Sequence, residues 1–106
     1  MGILWTILTK TKKIRIGGHW YKVIFPYIFK EDKQLWGQTD HATQEMRISD
    51  QDGAGNKLTQ SKVEEIFTHE ILHGVDYIYN GDKLDEDTIK RMSEGLYQVL
   101  VDNFKF

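Results

Sequence analysis

The chain has 106 residues, 40% of them hydrophobic, and this length fits one compact domain with a single core. It contains no cysteine, which excludes a disulfide framework, thiolate metal ligands, iron–sulfur clusters and thiol catalysis, so any metal site must use histidines and carboxylates. The formal net charge of −2 lacks the strong basic excess of many nucleic-acid-binding proteins.

The first half of the chain predicts a small sheet. Its first eight residues are apolar, but the run is too short to span a membrane, and it predicts a strand or a strand-like arm. Gly17-Gly18 then separates two runs rich in aromatic and β-branched residues, a pattern typical of a β-hairpin. Two further short strands follow, so we expect a small antiparallel sheet. The predicted strands are 1–8, 14–16, 19–25, 35–39 and 44–49.

The second half predicts two helices. From residue 58 onward, apolar residues recur at three- and four-residue spacing, with a capping box at 61–64 or Thr59 as the alternative cap. Asn80-Gly81 is a typical stop, and a second helix begins near Asp85. The apolar stripe of that helix is predicted at Ile89, Met92, Leu96, Val99, Leu100 and Phe104. Both helices should pack against each other and against one face of the sheet, giving a single α+β domain over residues 1–106.

The motif that carries chemistry is His69-Glu70-Ile71-Leu72-His73, an HExxH sequence inside the first predicted helix. Residues four apart lie on the same side of a helix, so His69 and His73 can both offer imidazole nitrogens to one Zn²⁺. Glu70 is rotated by about 100° from His69, so its carboxylate can reach a water at the metal without ligating the metal. This geometry is typical of a general base.

A catalytic zinc usually has three protein ligands, so a third must come from elsewhere in the chain. We favour Glu94, because it lies well inside the second helix near the edge of the apolar stripe. Asp76 follows His73 by three positions and is the alternative for an outer hydrogen bond to a ligating imidazole. The full set of candidates is Asp76, Asp85, Asp87, Glu94, His41 and His19, of which Asp85 and Asp87 are better explained by helix capping and the helix dipole.

The HExxH motif followed by Ser93-Glu94-Gly95-Leu96-Tyr97, 21 positions after His73, resembles a minimal gluzincin metalloprotease. The chain is most similar to the small HExxH proteins of phages and prophages, related to the minigluzincins and more loosely to the ImmA/IrrE metallopeptidases. The resemblance is specific over residues 66–100. It implies a zincin-like fold in which a short sheet precedes the active-site helix and a following helix supplies a glutamate. His69, His73 and Glu94 would then be zinc ligands and Glu70 the catalytic base.

The expected reaction is zinc-dependent hydrolysis of a peptide bond, with Glu70 taking a proton from water and delivering it to the leaving amine. The oxyanion would need one more donor, for which Tyr77, Tyr97 and His41 are the candidates, although each is more commonly a packed aromatic residue or a loop histidine. The strand at 46–49 is a candidate for pairing with an extended peptide substrate.

Two other functions stay open at this point. One is a non-catalytic zinc-binding module of phage origin that regulates or binds a partner. The other is a nucleic-acid binder that uses Lys10, Lys12, Lys13 and Arg15 beside Trp20 and Tyr21. These charges are better explained as ordinary surface charges of a hairpin. We therefore expect a peptide or protein substrate, no nucleic-acid or membrane partner, and, because no signal peptide or membrane span is recognised, a cytoplasmic location.

Overall fold

A computed structural model describes residues 2–104 of the chain. Two short helical segments come first, followed by four strands and two long helices. The elements are α1 (Ile3–Thr6), a π-helical turn (Ile7–Thr11), β1 (Lys13–Ile16), β2 (His19–Ile24), β3 (Gly37–Asp40), β4 (Glu45–Ile48), α2 (Gln60–Asn80) and α3 (Glu86–Asn103).

The amino-terminal segment is helical, so the strand predicted there is wrong; Met1 of that prediction lies outside the described residues. Leu4 and Leu8 are four residues apart, which places both on one helix face, and both are buried. The Lys12 N–H donates to the Ile7 carbonyl oxygen at 2.7 Å and closes the π-helical turn. A short apolar run carries no clear period, so helix and strand could not be distinguished from the sequence.

The four strands form one mixed sheet in the order β1-β2-β4-β3. The predicted β1–β2 hairpin is confirmed, and β3 pairs antiparallel with β4. However, β4 pairs in parallel with β2, so the expectation of a purely antiparallel sheet is wrong. The chain between β2 and β4 leaves the sheet and returns through β3, and this crossover places β3 at the edge of the sheet, beside α2.

One face of the sheet packs on α1, the π-helical turn and α2 to form the core. Alternate residues of each strand point to this face, as the two-residue period of a strand requires. The buried apolar side chains of this cluster are Leu4, Leu8, Ile16, Tyr21, Val23, Met46, Ile48, Val63 and Phe67.

The two long helices begin and end close to their predicted positions. Thr59, the alternative cap, accepts a hydrogen bond from the Lys62 N–H, and Gly81 ends α2 in the left-handed conformation. Asp85 caps α3. Within residues 2–104, none of the helices is long and apolar enough to cross a membrane.

Helix α3 packs on α2 and makes no comparable contact with the sheet within the described residues, contrary to the expectation that both helices cover the sheet. The predicted apolar stripe of α3 is also only partly correct. Ile89 is buried, but Met92, Leu96 and Val99 are exposed. Ser93 is buried in their place, and its small side chain suits a close contact with α2.

Candidate metal centre

His69 and His73 lie in the middle of α2 and converge on one point. The Nε2 atoms of the two rings are 3.2 Å apart, and both side chains are about three-quarters buried. This closeness follows from the four-residue spacing, which stacks the two side chains one helical turn apart. Two imidazole nitrogens facing each other at this distance could serve as two ligands of one metal ion.

Ser93 of α3 fixes the orientation of His69. The Ser93 hydroxyl donates to the carbonyl oxygen of Lys90 at 3.0 Å, so its oxygen is free to accept from Nδ1–H of His69, 3.4 Å away. A hydrogen on Nδ1 leaves the lone pair of the neutral imidazole on Nε2. In this tautomer, the nitrogen that faces His73 is the one able to bind a metal.

Glu86, in the first turn of α3, contacts both histidines. One carboxylate oxygen of Glu86 lies 2.6 Å from Nε2 of His69, and the other lies 3.1 Å from Nε2 of His73. Glu86 was absent from the third-ligand candidates, although its neighbours Asp85 and Asp87 were among them.

The donor atoms of these three side chains fit a tetrahedral zinc ion. Zn–N bonds of about 2.0–2.1 Å imply about 3.3 Å between neighbouring ligand atoms. The observed 3.2 Å between the two Nε2 atoms and 3.1 Å from His73 to Glu86 match this spacing. The contact between His69 and Glu86, at 2.6 Å, would have to open by about 0.7 Å, which an exposed glutamate side chain can do.

Glu70 lies beside this group and is almost fully buried, with 5% of its surface exposed. The ligand atoms of His69, Glu70 and His73 all lie within 4.8 Å of one another. Burial raises the pKa of Glu70 to about 7, the hydroxyl of Thr39 opposes this shift by donating to Oε1 at 2.8 Å, and the nearby charge of Glu86 adds to it. The carboxyl group can therefore exchange a proton near neutral pH.

A cleft of about 730 Å³ opens over these residues. Its other wall is β3 with the residues before it, including Trp36, Gly37 and Thr39. Gly37 is required there, since a Cβ atom would lie 2.8 Å from Cγ2 of Ile66 and 2.9 Å from Oε2 of Glu70. The absence of a side chain lets the strand approach the buried carboxylate.

The strand expected to pair with a peptide is the wrong one. Residues 46–48 belong to β4, which is bonded to β2 on one side and β3 on the other, so its backbone groups are already used. Among the described residues, β3 is the edge strand on this side, and it borders the cleft. An extended peptide could add to β3.

Glu94, the favoured third ligand, and Asp76, the candidate for an outer hydrogen bond, have different surroundings. Glu94 is exposed and lines the same cleft, and its role as a ligand stays a prediction. Asp76 is buried and accepts hydrogen bonds from the Asn80 side chain and from the N–H groups of Lys83 and Leu84, at 2.8–3.3 Å. Asp76 thus closes the loop that leads into α3 and positions the helix start that carries Glu86.

The remaining third-ligand candidates have other partners. Asp85 caps α3 by accepting from the Thr88 N–H at 2.7 Å, and Asp87 pairs with Arg91 at 3.0 Å. His19 lies on β2, with its Nδ1 atom 3.0 Å from the side-chain amide of Gln44.

The three candidate oxyanion donors have different surroundings. Tyr97 donates its hydroxyl to Glu64 at 2.9 Å, and burial together with this bond raises the pKa of Tyr97 to about 12. His41, directly after β3, lines the cleft and stacks on the ring of Tyr77. Of these three residues, His41 is the one whose ring lies both in the cleft and in a fixed orientation.

The basic segment of the first half forms part of the hairpin surface. The ring of Trp20 is half exposed, with Nζ of Lys13 at 4.8 Å and the guanidinium carbon of Arg15 at 5.8 Å from its centre. Tyr21 is buried in the core, with 1% exposure, and is not part of this surface.

Comparison with known protein families, curated proteins and solved structures found no match to this chain.

Proposed function

We propose that the chain is a zinc-dependent metallopeptidase of the gluzincin type, acting on a peptide or protein substrate. The observation that carries this proposal is the convergence of His69, His73 and Glu86, with the buried carboxyl group of Glu70 beside them. Two imidazoles, one carboxylate and a separate acid of near-neutral pKa are the groups that such hydrolysis requires.

His69 and His73 would hold the zinc ion through Nε2, and Glu86 would be the third protein ligand. Glu86 is preferred to Glu94 because its oxygens already contact both histidines, whereas Glu94 has no such described contact. Bound there, zinc would supply a Lewis acid that activates water and polarises the scissile carbonyl.

The other side chains of the cleft have roles that follow from their positions. Glu70 takes a proton from the attacking water and later delivers it to the leaving amine. Thr39 holds one oxygen of Glu70 and so fixes the direction of the carboxyl group. The edge strand β3 binds the substrate backbone in an extended form, which limits the substrate to an unfolded segment or a loop.

The proposal is tested by exposing the zinc-loaded protein to a library of quenched fluorescent peptides. We expect cleavage that a chelator abolishes and that added Zn²⁺ restores. Glu70→Gln is the matched control, because it should keep zinc and lose cleavage. Full zinc loading without any cleavage would overturn the peptidase and favour the non-catalytic zinc-binding module.

A further inference from the structure

His41 is held rigidly by two aromatic residues. Its ring stacks on that of Tyr77 with 3.9 Å between centres and 5° between planes, and its Nδ1 atom lies 3.3 Å from the hydroxyl of Tyr21. Asp40 organises the turn that carries His41 by accepting from the N–H groups of Ala42 and Thr43. The imidazole therefore has one orientation, although it lies in a turn.

The contact with Tyr21 determines where His41 carries its hydrogen. Tyr21 is 1% exposed, burial raises the pKa of its phenol, and the partner described for its hydroxyl is Nδ1 of His41. If Nδ1 carried a hydrogen, the buried O–H of Tyr21 would lose its acceptor, which is unfavourable. Tyr21 therefore donates to Nδ1, and the neutral ring of His41 carries its hydrogen on Nε2.

His41 lies close to the candidate metal centre, on the wall of the same cleft. Tyr77 follows His73 by four residues, so the ring that stacks on His41 lies one turn of α2 beyond His73. Nδ1 is directed toward the core through Tyr21, so Nε2 lies at the opposite side of the ring. His41 lines the same cleft as His69, Glu70 and His73.

We propose that His41 is a catalytic residue that donates a hydrogen bond from Nε2–H to the oxyanion formed during peptide-bond hydrolysis, with Tyr21 and Tyr77 as positioning residues. This inference rests on the proposed metallopeptidase function. A fixed, neutral N–H donor in a partly closed cleft is the type of group that stabilises a developing negative charge without reorganising.

The hydrogen bond from His41 leaves the reaction balanced. The water oxygen bonds to the carbonyl carbon while Glu70 takes one proton, and the carbonyl electron pair moves onto the oxygen that faces His41. When the carbonyl forms again, the C–N bond breaks, and Glu70 gives its proton to the amine. His41 keeps its own proton throughout.

The test compares His41→Ala and His41→Gln with the parent protein, using the peptide that the parent cleaves best. Removal of one oxyanion donor should lower kcat by about 10²–10³-fold. We expect KM and zinc content to stay near those of the parent. The amide N–H of the glutamine should restore part of kcat. His19→Ala is the matched control, since His19 lies on β2 outside the described lining of the cleft.

A second readout uses two zinc-directed peptide inhibitors. A phosphonamidate mimics the tetrahedral oxyanion, and a mercaptoacyl peptide has no oxygen at that position. His41→Ala should strongly weaken binding of the phosphonamidate and should change binding of the mercaptoacyl peptide little. Tyr21→Phe removes the O–H that fixes the tautomer of His41, so it should also weaken binding of the phosphonamidate more than that of the mercaptoacyl peptide, but by a smaller factor. A purely structural role would weaken binding of both inhibitors alike.

The outcomes separate this inference from the proposed function. If the parent cleaves and His41→Ala retains its kcat, or if both inhibitors weaken equally, the role of His41 is wrong and the metallopeptidase stands. If the zinc-loaded parent cleaves no peptide, both proposals fall. If His41→Ala does not fold, His41→Gln replaces it in the test. The donor role is overturned if the folded glutamine variant has a kcat near zero and binds the two inhibitors with the same selectivity as the parent.

Discussion

Burial of the Glu70 carboxyl group predicts a pH-dependent loss of stability in the metal-free protein. The pKa of Glu70 is raised from its ordinary value of 4.5 to about 7 by burial. In the unfolded chain Glu70 loses its proton near pH 4.5, whereas the folded protein keeps it until about pH 7. The free energy of unfolding therefore falls as the pH rises through this window, by about 3 kcal/mol in total at 1.36 kcal/mol for each pKa unit.

Glu70→Gln removes this dependence, because glutamine has nearly the same shape, carries no charge, and can still accept from Thr39. Below pH 4.5 the two metal-free proteins should be equally stable. At pH 8 the variant should be more stable by about 3 kcal/mol, which for a chain of this length is a melting temperature higher by on the order of 10 °C or more.

The assay is urea unfolding at pH 4.5, 6, 7 and 8 in the presence of a chelator, with the variant and the parent side by side. Adding Zn²⁺ should reduce the difference, since a cation beside the carboxylate favours its charged form. Equal pH dependence of the two metal-free proteins would mean that Glu70 is not desolvated in the folded state.

Three further substitutions probe the surroundings of the site. Gly37→Ala places a Cβ atom against Glu70, so it should lower the free energy of unfolding by roughly 1–3 kcal/mol, measured in urea; an unchanged midpoint would mean that the strand can move away. Asp76→Ala leaves three donors of the α2–α3 loop without their acceptor and should cost about 2–3 kcal/mol, with weaker zinc binding as well. Ser93→Ala removes the hydroxyl that orients His69 and should weaken zinc binding by about 10–100-fold in a chelator competition, and unaltered affinity would remove Ser93 from this role.

The positions of the two long helices could be predicted well because the signals that start and end them are local. The apolar period of α2, the Gly81 stop and the Asp85 cap each act within a few residues. The position of His69 beside His73 likewise follows from helix geometry alone.

The sheet was predicted less well because its topology depends on contacts far apart in sequence. Nothing local indicates that β4 pairs in parallel with β2 or that β3 forms the edge. The same limit explains why the wrong strand was expected beside the substrate. The amino-terminal strand was wrong for a different reason, since an eight-residue apolar run has no period that excludes a helix.

The third carboxylate at the histidines could not be chosen from the sequence. Glu94 and Glu86 are both acids on the second helix, and only the path of the loop decides which one reaches the histidines. That path is set by Asp76, whose carboxylate accepts from the loop backbone and brings the start of α3 to the site. Asp76 lies within α2, and its hydrogen bonds to the loop backbone are visible only in the folded chain.

Binding of one zinc ion by His69, His73 and Glu86 underlies the proposed function. It is tested by elemental analysis of the protein purified without chelator, with His73→Ala, Glu86→Ala and Glu94→Ala analysed in parallel. We expect close to one zinc per chain in the parent and in Glu94→Ala, and a loss or strong weakening of zinc binding in the other two variants. A parent without bound metal, whose melting temperature does not rise with added Zn²⁺, would show that this site does not bind zinc. Zinc lost in Glu94→Ala but kept in Glu86→Ala would transfer the ligand role to Glu94.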